Sequence, residues 1–158
     1  MLDAQILRRL IKSLGALKTM EEPARHLLFH GVIILLLGLL AGIPYGRAIL
    51  KKEQDSLIVA WRVAHSSLSM GAILMFALVP ILSLLNVNLK IMWSIAVLFI
   101  VTGYAFSFAL YLGPIVGHRG LAYRGPIPAK LVYFGNSIGA LTSLLGTFIL
   151  LYAAWKTL

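Results

Sequence analysis

Four long runs without Asp, Glu, Lys or Arg organise the chain: residues 26–46, 63–89, 91–118 and 131–155, of 21, 27, 28 and 25 positions. A helix needs about 20 residues to cross roughly 30 Å of hydrocarbon, so each run predicts one crossing. The fold class is therefore all-α, an integral membrane four-helix bundle with spans at about 26–46, 63–88, 91–116 and 131–155. Ahead of them, Leu2, Ile6, Leu10, Leu14 and Leu17 recur at helical spacing, with Arg8, Arg9, Lys12 and Lys18 between them. That pattern predicts an amphipathic helix over 1–19 lying in the headgroup plane. Pro44 is expected to close the first span, Glu53 and Asp55 to sit in a polar connector, and Arg124-Gly125-Pro126-Ile127-Pro128 to form a turn-rich linker into the last helix.

Composition agrees with the pattern. Apolar residues make up 60% of 158 positions and charged ones 12%, against about 25% charged in a soluble domain. One membrane domain over 1–158 uses the whole chain, so chemistry has to sit between helices or at their mouths. The formal charge of +9 and pI near 10.2 point to anionic lipid headgroups, not to nucleic acid. Basic residues divide seven against seven between the two faces, so the positive-inside rule gives no orientation. The basic amphipathic first segment favours termini in the cytoplasm. Gly38, Gly42 and Gly46, and likewise Gly135, Gly139 and Ser143, repeat every four residues as small ridges that suit helix contact and self-association.

The polar side chains within the spans are few: His30, Ser66, Ser67, Ser69, Thr102, Tyr104, Ser107, Tyr111, Tyr133, Asn136 and Ser137. None is an acid, which removes carboxylate acid/base pairs and carboxylate metal clusters from the interior. No nucleophile elbow, phosphate loop or zinc-protease motif is present. There is no cysteine, hence no thiolate ligand or iron–sulfur cluster. Span serines usually bond the carbonyl one turn back, which makes Ser66, Ser67 and Ser69 packing residues before nucleophiles. His65 is the first site candidate, with Trp61 and Ser69 one turn away on its face. An imidazole there either hydrogen-bonds a neighbouring helix or holds a ligand. Zinc would need three or four donors, whereas haem iron can be held by one histidine and apolar contact. His30 is the second candidate; His26, after Arg25, is expected to reach the headgroups.

The run Trp61-x-x-Ala64-His65-Ser66, with His30-Gly31 in the first span and Arg119-Gly120-Leu121 and Gly125-Pro126 after the third, resembles the styrene oxide isomerase family. The resemblance implies a small bacterial inner-membrane enzyme assembling as a homotrimer, with b-type haem (iron) between subunits and His65 as its axial ligand. It further implies an activity in which ferric iron acts as a Lewis acid on an aryl epoxide, and a 1,2-hydride shift yields the aldehyde. Trp61, Arg62, Arg119 and His30 are then expected around the haem, the arginines, with Arg124, facing either propionates or headgroups. The sequence also departs from the family pattern. Where the isomerases carry an Asn six residues after the ligand this chain has Gly71, and in the third span Thr102 and Leu110 stand for an Asp and a Tyr, with Tyr104 and Tyr111 nearby. Three readings follow: an epoxide isomerase in which Tyr111 or Tyr104 orients substrate; a haem protein for electron transfer, sensing or haem handling; and an accessory subunit in which His65 is simply packed.

Overall fold

The computed structural model describes residues 20–158; the expected interfacial helix over 1–19 lies outside them. Four helices fill that length: α1 Glu22–Leu50, α2 Asp55–Leu84, α3 Leu89–Val116 and α4 Ile127–Thr157. All four are long and apolar enough to cross a membrane. At 28 to 31 residues they measure about 42–46 Å, beyond the hydrocarbon thickness. The charge-free runs mark only their apolar middles, because helices continue into the headgroup zone where charged side chains are hydrated. Asp55 and Ile127, expected in connectors, are accordingly first residues of helices.

Pro44 does not end the first helix. α1 runs six residues past it to Leu50, and α2 and α3 likewise pass through Pro80 and Pro114. In lipid a helix that stopped would leave several backbone groups without partners, whereas one proline removes only one donor, so continuation is favoured. Helix ends are set by capping. The Asn88 side chain accepts from the Ile91 N–H at 3.0 Å to start α3. Gly117, at φ 68°, turns the chain out of α3 while the His118 N–H reaches back to the Gly113 carbonyl at 3.1 Å. Pro128 lies in the first turn of α4, where its missing N–H costs nothing.

The short connectors make α1 and α2 an antiparallel pair; α3 packs across both, and α4 packs on α3 alone. Glycine lets the paired backbones approach. A Cβ built on Gly38 would lie 2.8 Å from the Ser69 nitrogen of α2, and one on Gly139 2.9 Å from the Phe106 ring of α3. Both small-residue ridges are thus occupied within a single chain, Gly31, Gly38 and Gly42 by α2 and Gly135, Gly139 and Gly146 by α3. A Cβ built on Gly46 would meet nothing within 4 Å.

Leu27, Ile34, Leu68, Leu78, Leu82 and Ile95 form the centre of the buried cluster. Polar groups are satisfied locally: Ser66 bonds the Arg62 carbonyl, Ser69 that of His65 and Ser107 that of Gly103, at 2.8–2.9 Å, as span serines are expected to. Thr102 and Thr142 join α3 to α4 through their hydroxyls at 2.8 Å. Among the described residues no buried side-chain nitrogen or oxygen lacks a partner.

Candidate functional site

His65 lies ten residues into α2, facing α1, and is half-buried. Its Nδ1 is 2.8 Å from the Gly38 carbonyl oxygen. A carbonyl only accepts, so Nδ1 carries a proton, and in the neutral ring Nε2 then holds the lone pair. Among the described residues Nε2 has no hydrogen-bond partner. The approach depends on glycine twice. Gly38 brings α2 close enough for the bond, and the ring rests over Gly42, where a Cβ would stand 3.3 Å from Nδ1. Tyr45 flanks the ring, its centroid 6.4 Å away at 23°.

A second donor meets α1 beside the first. The Tyr111 hydroxyl of α3 donates to the Leu37 carbonyl, the position before Gly38. Tyr111 also receives the edge of Trp61, at 5.8 Å and 83°. Two consecutive carbonyls of α1 therefore hold a histidine from α2 and a tyrosine from α3. The same seam recurs one heptad earlier, where the Tyr104 hydroxyl lies 2.8 Å from His30 Nδ1. Both pairs are 74 positions apart, which fixes α1 and α3 as parallel neighbours in a single register.

The expected site residues thus fall into two groups. His65, Trp61, Tyr111 and the exposed Arg62 lie together, and the exposed Arg119 and Arg124 sit in the loop after α3 at the same end of the bundle. His30 and Tyr104 form the other group: His30 is eight residues from Gly38, about 12 Å along α1. The structure does not bring His30 to His65. Instead His26 stacks on His30 at 6.2 Å and meets Trp93 at 5.1 Å, so His26 packs against α3 rather than only reaching outward. The Tyr111 hydroxyl donates to the Leu37 carbonyl, and the Tyr104 hydroxyl is shared with His30.

An apolar cleft of about 390 Å³ opens between α2 and α4 over α3. Gly71, Thr102 and Leu110, the three positions where the sequence departs from the isomerase pattern, all line it. Sequence reading found those positions singly, through the resemblance. It missed the cleft that unites them, and Gly38, Gly42 and Tyr45 as the setting of His65; the four-residue glycine spacing was the only signal for the last.

Among the described residues no three His, Asp or Glu side chains gather to hold a metal ion. His65, a single imidazole with Nδ1 tied to a backbone carbonyl and Nε2 unpartnered among the described residues, has the donor chemistry of a haem ligand. Trp61 and Tyr45 offer apolar faces beside it, and Arg62 a cation for a propionate. A search of curated proteins gave no match to the chain. The family profile described as "Styrene oxide isomerase" matches residues 23–155, from the first turn of α1 almost to the end of α4, and the chain belongs to the styrene oxide isomerase family.

Proposed function

We propose that the protein is a b-type haem protein of the bacterial inner membrane, a homo-oligomer of the family's trimeric kind, that isomerises aryl epoxides to aldehydes. The observation that carries the reading is the His65 imidazole, anchored through Nδ1–H to the Gly38 carbonyl with Nε2 unpartnered. Such a bond to the ring nitrogen opposite the metal fixes the tautomer and raises ligand basicity. A bound ferric haem would supply a Lewis acid for the oxygen of an epoxide.

The chain's own residues do the remaining work. Gly38 and Gly42 fix where the imidazole stands, and Arg62, Arg119 and Arg124 supply positive charge at the end of the bundle where anionic propionates would be neutralised. Tyr111, through Leu37, locks α3 to the α1 backbone beside the ligand. The apolar walls of the α2–α4 cleft admit a small molecule from the bilayer and exclude water, which protects developing positive charge on a substrate carbon from hydrolysis. His65 and the cleft residues Ser67, Gly71 and Leu74 project from different sides of α2, so the isomerase reading requires the cleft to meet the His65 of a neighbouring subunit. That arrangement suits a closed ring of subunits.

A second reading has one observation in its favour. Leu110 is apolar and the Thr102 hydroxyl is engaged with Leu98 and Thr142, so neither replaces the family's polar pair. A haem protein for electron transfer, sensing or haem handling would need neither. The test is conversion of styrene oxide to phenylacetaldehyde by the purified protein. Loss of a positioning group costs about 10²–10³ in rate, so slow turnover by the ferric protein and none by the ferrous is expected. Absence of turnover with every aryl epoxide, in a six-coordinate haem protein, would overturn the isomerase reading in favour of the second.

A further inference from the structure

The α2–α4 cleft is almost wholly apolar, and the few hydrogen-bonding groups that line it are Ser67, Thr102, Asn136 and Ser143. Their protons can be accounted for one by one. The Thr102 hydroxyl lies 2.8 Å from both the Leu98 carbonyl and the Thr142 hydroxyl. Ser143 donates to the Ala140 carbonyl at 2.9 Å. The Asn136 amide donates to the Arg119 and Gly120 carbonyls at 3.0 and 3.4 Å, tying α4 to the loop after α3. Ser67 alone is uncommitted: its neighbours Ser66 and Ser69 bond carbonyls of their own helix, and Ser67 makes no hydrogen bond to a described residue. The cleft therefore offers a ligand one free donor.

One turn along α2 from Ser67 stands Gly71, and a Cβ built there meets nothing within 4 Å. A side chain would fit without strain, so packing does not require glycine here, and its absence leaves room. A cavity of about 150 Å³ accepts benzene. The 390 Å³ of this cleft suits a molecule with two rings.

We propose that the cleft binds a two-ring apolar molecule bearing one hydrogen-bond-accepting oxygen, that Ser67 donates to that oxygen, and that Gly71 makes room for the second ring. The assignment deepens the isomerase reading and rests on it for the identity of the oxygen as an epoxide. Ser67 then supplies, one turn earlier on α2, a polar contact that Gly71 cannot. It is a donor that holds and orients; the walls provided by Leu74, Met75 and Phe106 select by shape.

Benzophenone, a two-ring ketone that crosslinks on illumination, tests the pocket in full-length protein in lipid nanodiscs without relying on turnover. Saturable labelling is expected on Leu74, Met75 and neighbouring cleft residues. Ser67→Ala should raise the half-saturating concentration about threefold to tenfold, the effect of one lost hydrogen bond, and Ser67→Thr should restore it. Diphenylmethane, the same skeleton without the oxygen, should compete equally well against both. Because Ser67 bonds nothing else, Ser67→Ala should keep the wild-type melting temperature. Gly71→Trp should abolish cleft labelling. His65→Ala should keep saturable, Ser67-dependent labelling, because Ser67 and the apolar walls come from the cleft's own chain, so failure of the haem assignment would not be mistaken for failure of the pocket. Label only on lipid-facing residues such as Leu36, equal affinity of Ser67→Ala and wild type, or labelling that survives Gly71→Trp would each overturn the proposal. On the isomerase reading, trans-stilbene oxide should turn over faster than styrene oxide, and Gly71→Leu should reverse that order. Specific labelling without turnover of either would uphold the pocket and reject the reaction.

Discussion

Replacing Gly38 by alanine adds one methyl group at the place where α1 and α2 come closest. The new Cβ would stand 2.8 Å from the Ser69 backbone nitrogen, 2.8 Å from its hydroxyl and 3.2 Å from the Leu68 carbonyl carbon. Two of those three are backbone atoms, so no rotamer change relieves the contact and the helices have to separate. Overpacking of this kind costs about 1–3 kcal/mol. Separation also stretches the 2.8 Å bond from His65 Nδ1 to the Gly38 carbonyl, adding about 0.5–1.5 kcal/mol. The expected loss is about 1.5–4.5 kcal/mol of stability, read as a shift in the midpoint of denaturation in mixed micelles. Haem affinity should fall about tenfold to a hundredfold, as it does when a partner of a metal-ligating histidine is disturbed. Gly46→Ala is the control, since a Cβ there would meet nothing within 4 Å, and should stay within about 0.5 kcal/mol of wild type. Equal behaviour of the two variants would refute the close α1–α2 approach and the His65 anchoring that depends on it.

Tyr111→Phe should cost about 0.5–1.5 kcal/mol in the same assay, since Leu37 loses a donor while the ring keeps its contact with Trp61. Retention of full stability would show that the tyrosine does not tie α3 to α1. Gly139→Leu drives a side chain into Phe106, so it should weaken the hold of α4 on α3 and lower the melting temperature while the folded fraction keeps its oligomer size in mild detergent. Dissociation to monomers without loss of stability would place that ridge between subunits instead. Thr102→Val removes one of the two hydroxyls of the α3–α4 bridge and strands the other only partly, because Thr142 still bonds the Ile138 carbonyl; a loss near 1 kcal/mol by denaturation is expected, and none would contradict the bridge.

The four helices were legible because hydrocarbon admits no unpaired charge or backbone group, so a charge-free run of sufficient length has little choice but to be a crossing helix. Their ends were less so. Pro44 stops a helix in water, where solvent satisfies the released groups, and fails to stop one in lipid. Ser66 and Ser69 behave as their spacing implied, since that bond is local. What could not be read was register. The 74-residue offset that pairs His30 with Tyr104 and Tyr111 with Leu37 depends on how two distant segments align, and nothing within either segment records it. For the same reason His30 and His65 looked like members of one site, although separate contacts hold them about 12 Å apart along α1. The Trp61 to Ser66 run pointed to the family that the profile match over 23–155 establishes, while the cleft joining Gly71, Thr102 and Leu110 required the packed helices.

The absorption spectrum of protein purified from haem-replete membranes, compared with His65→Ala and His30→Ala, tests the central claim most directly. Axial ligation by His65 Nε2 predicts a Soret band in the wild type, its loss in His65→Ala with expression and oligomer size preserved, and its retention in His30→Ala, whose imidazole is engaged with Tyr104. A Soret band unchanged in His65→Ala, or a wild-type protein that carries none, would contradict the account.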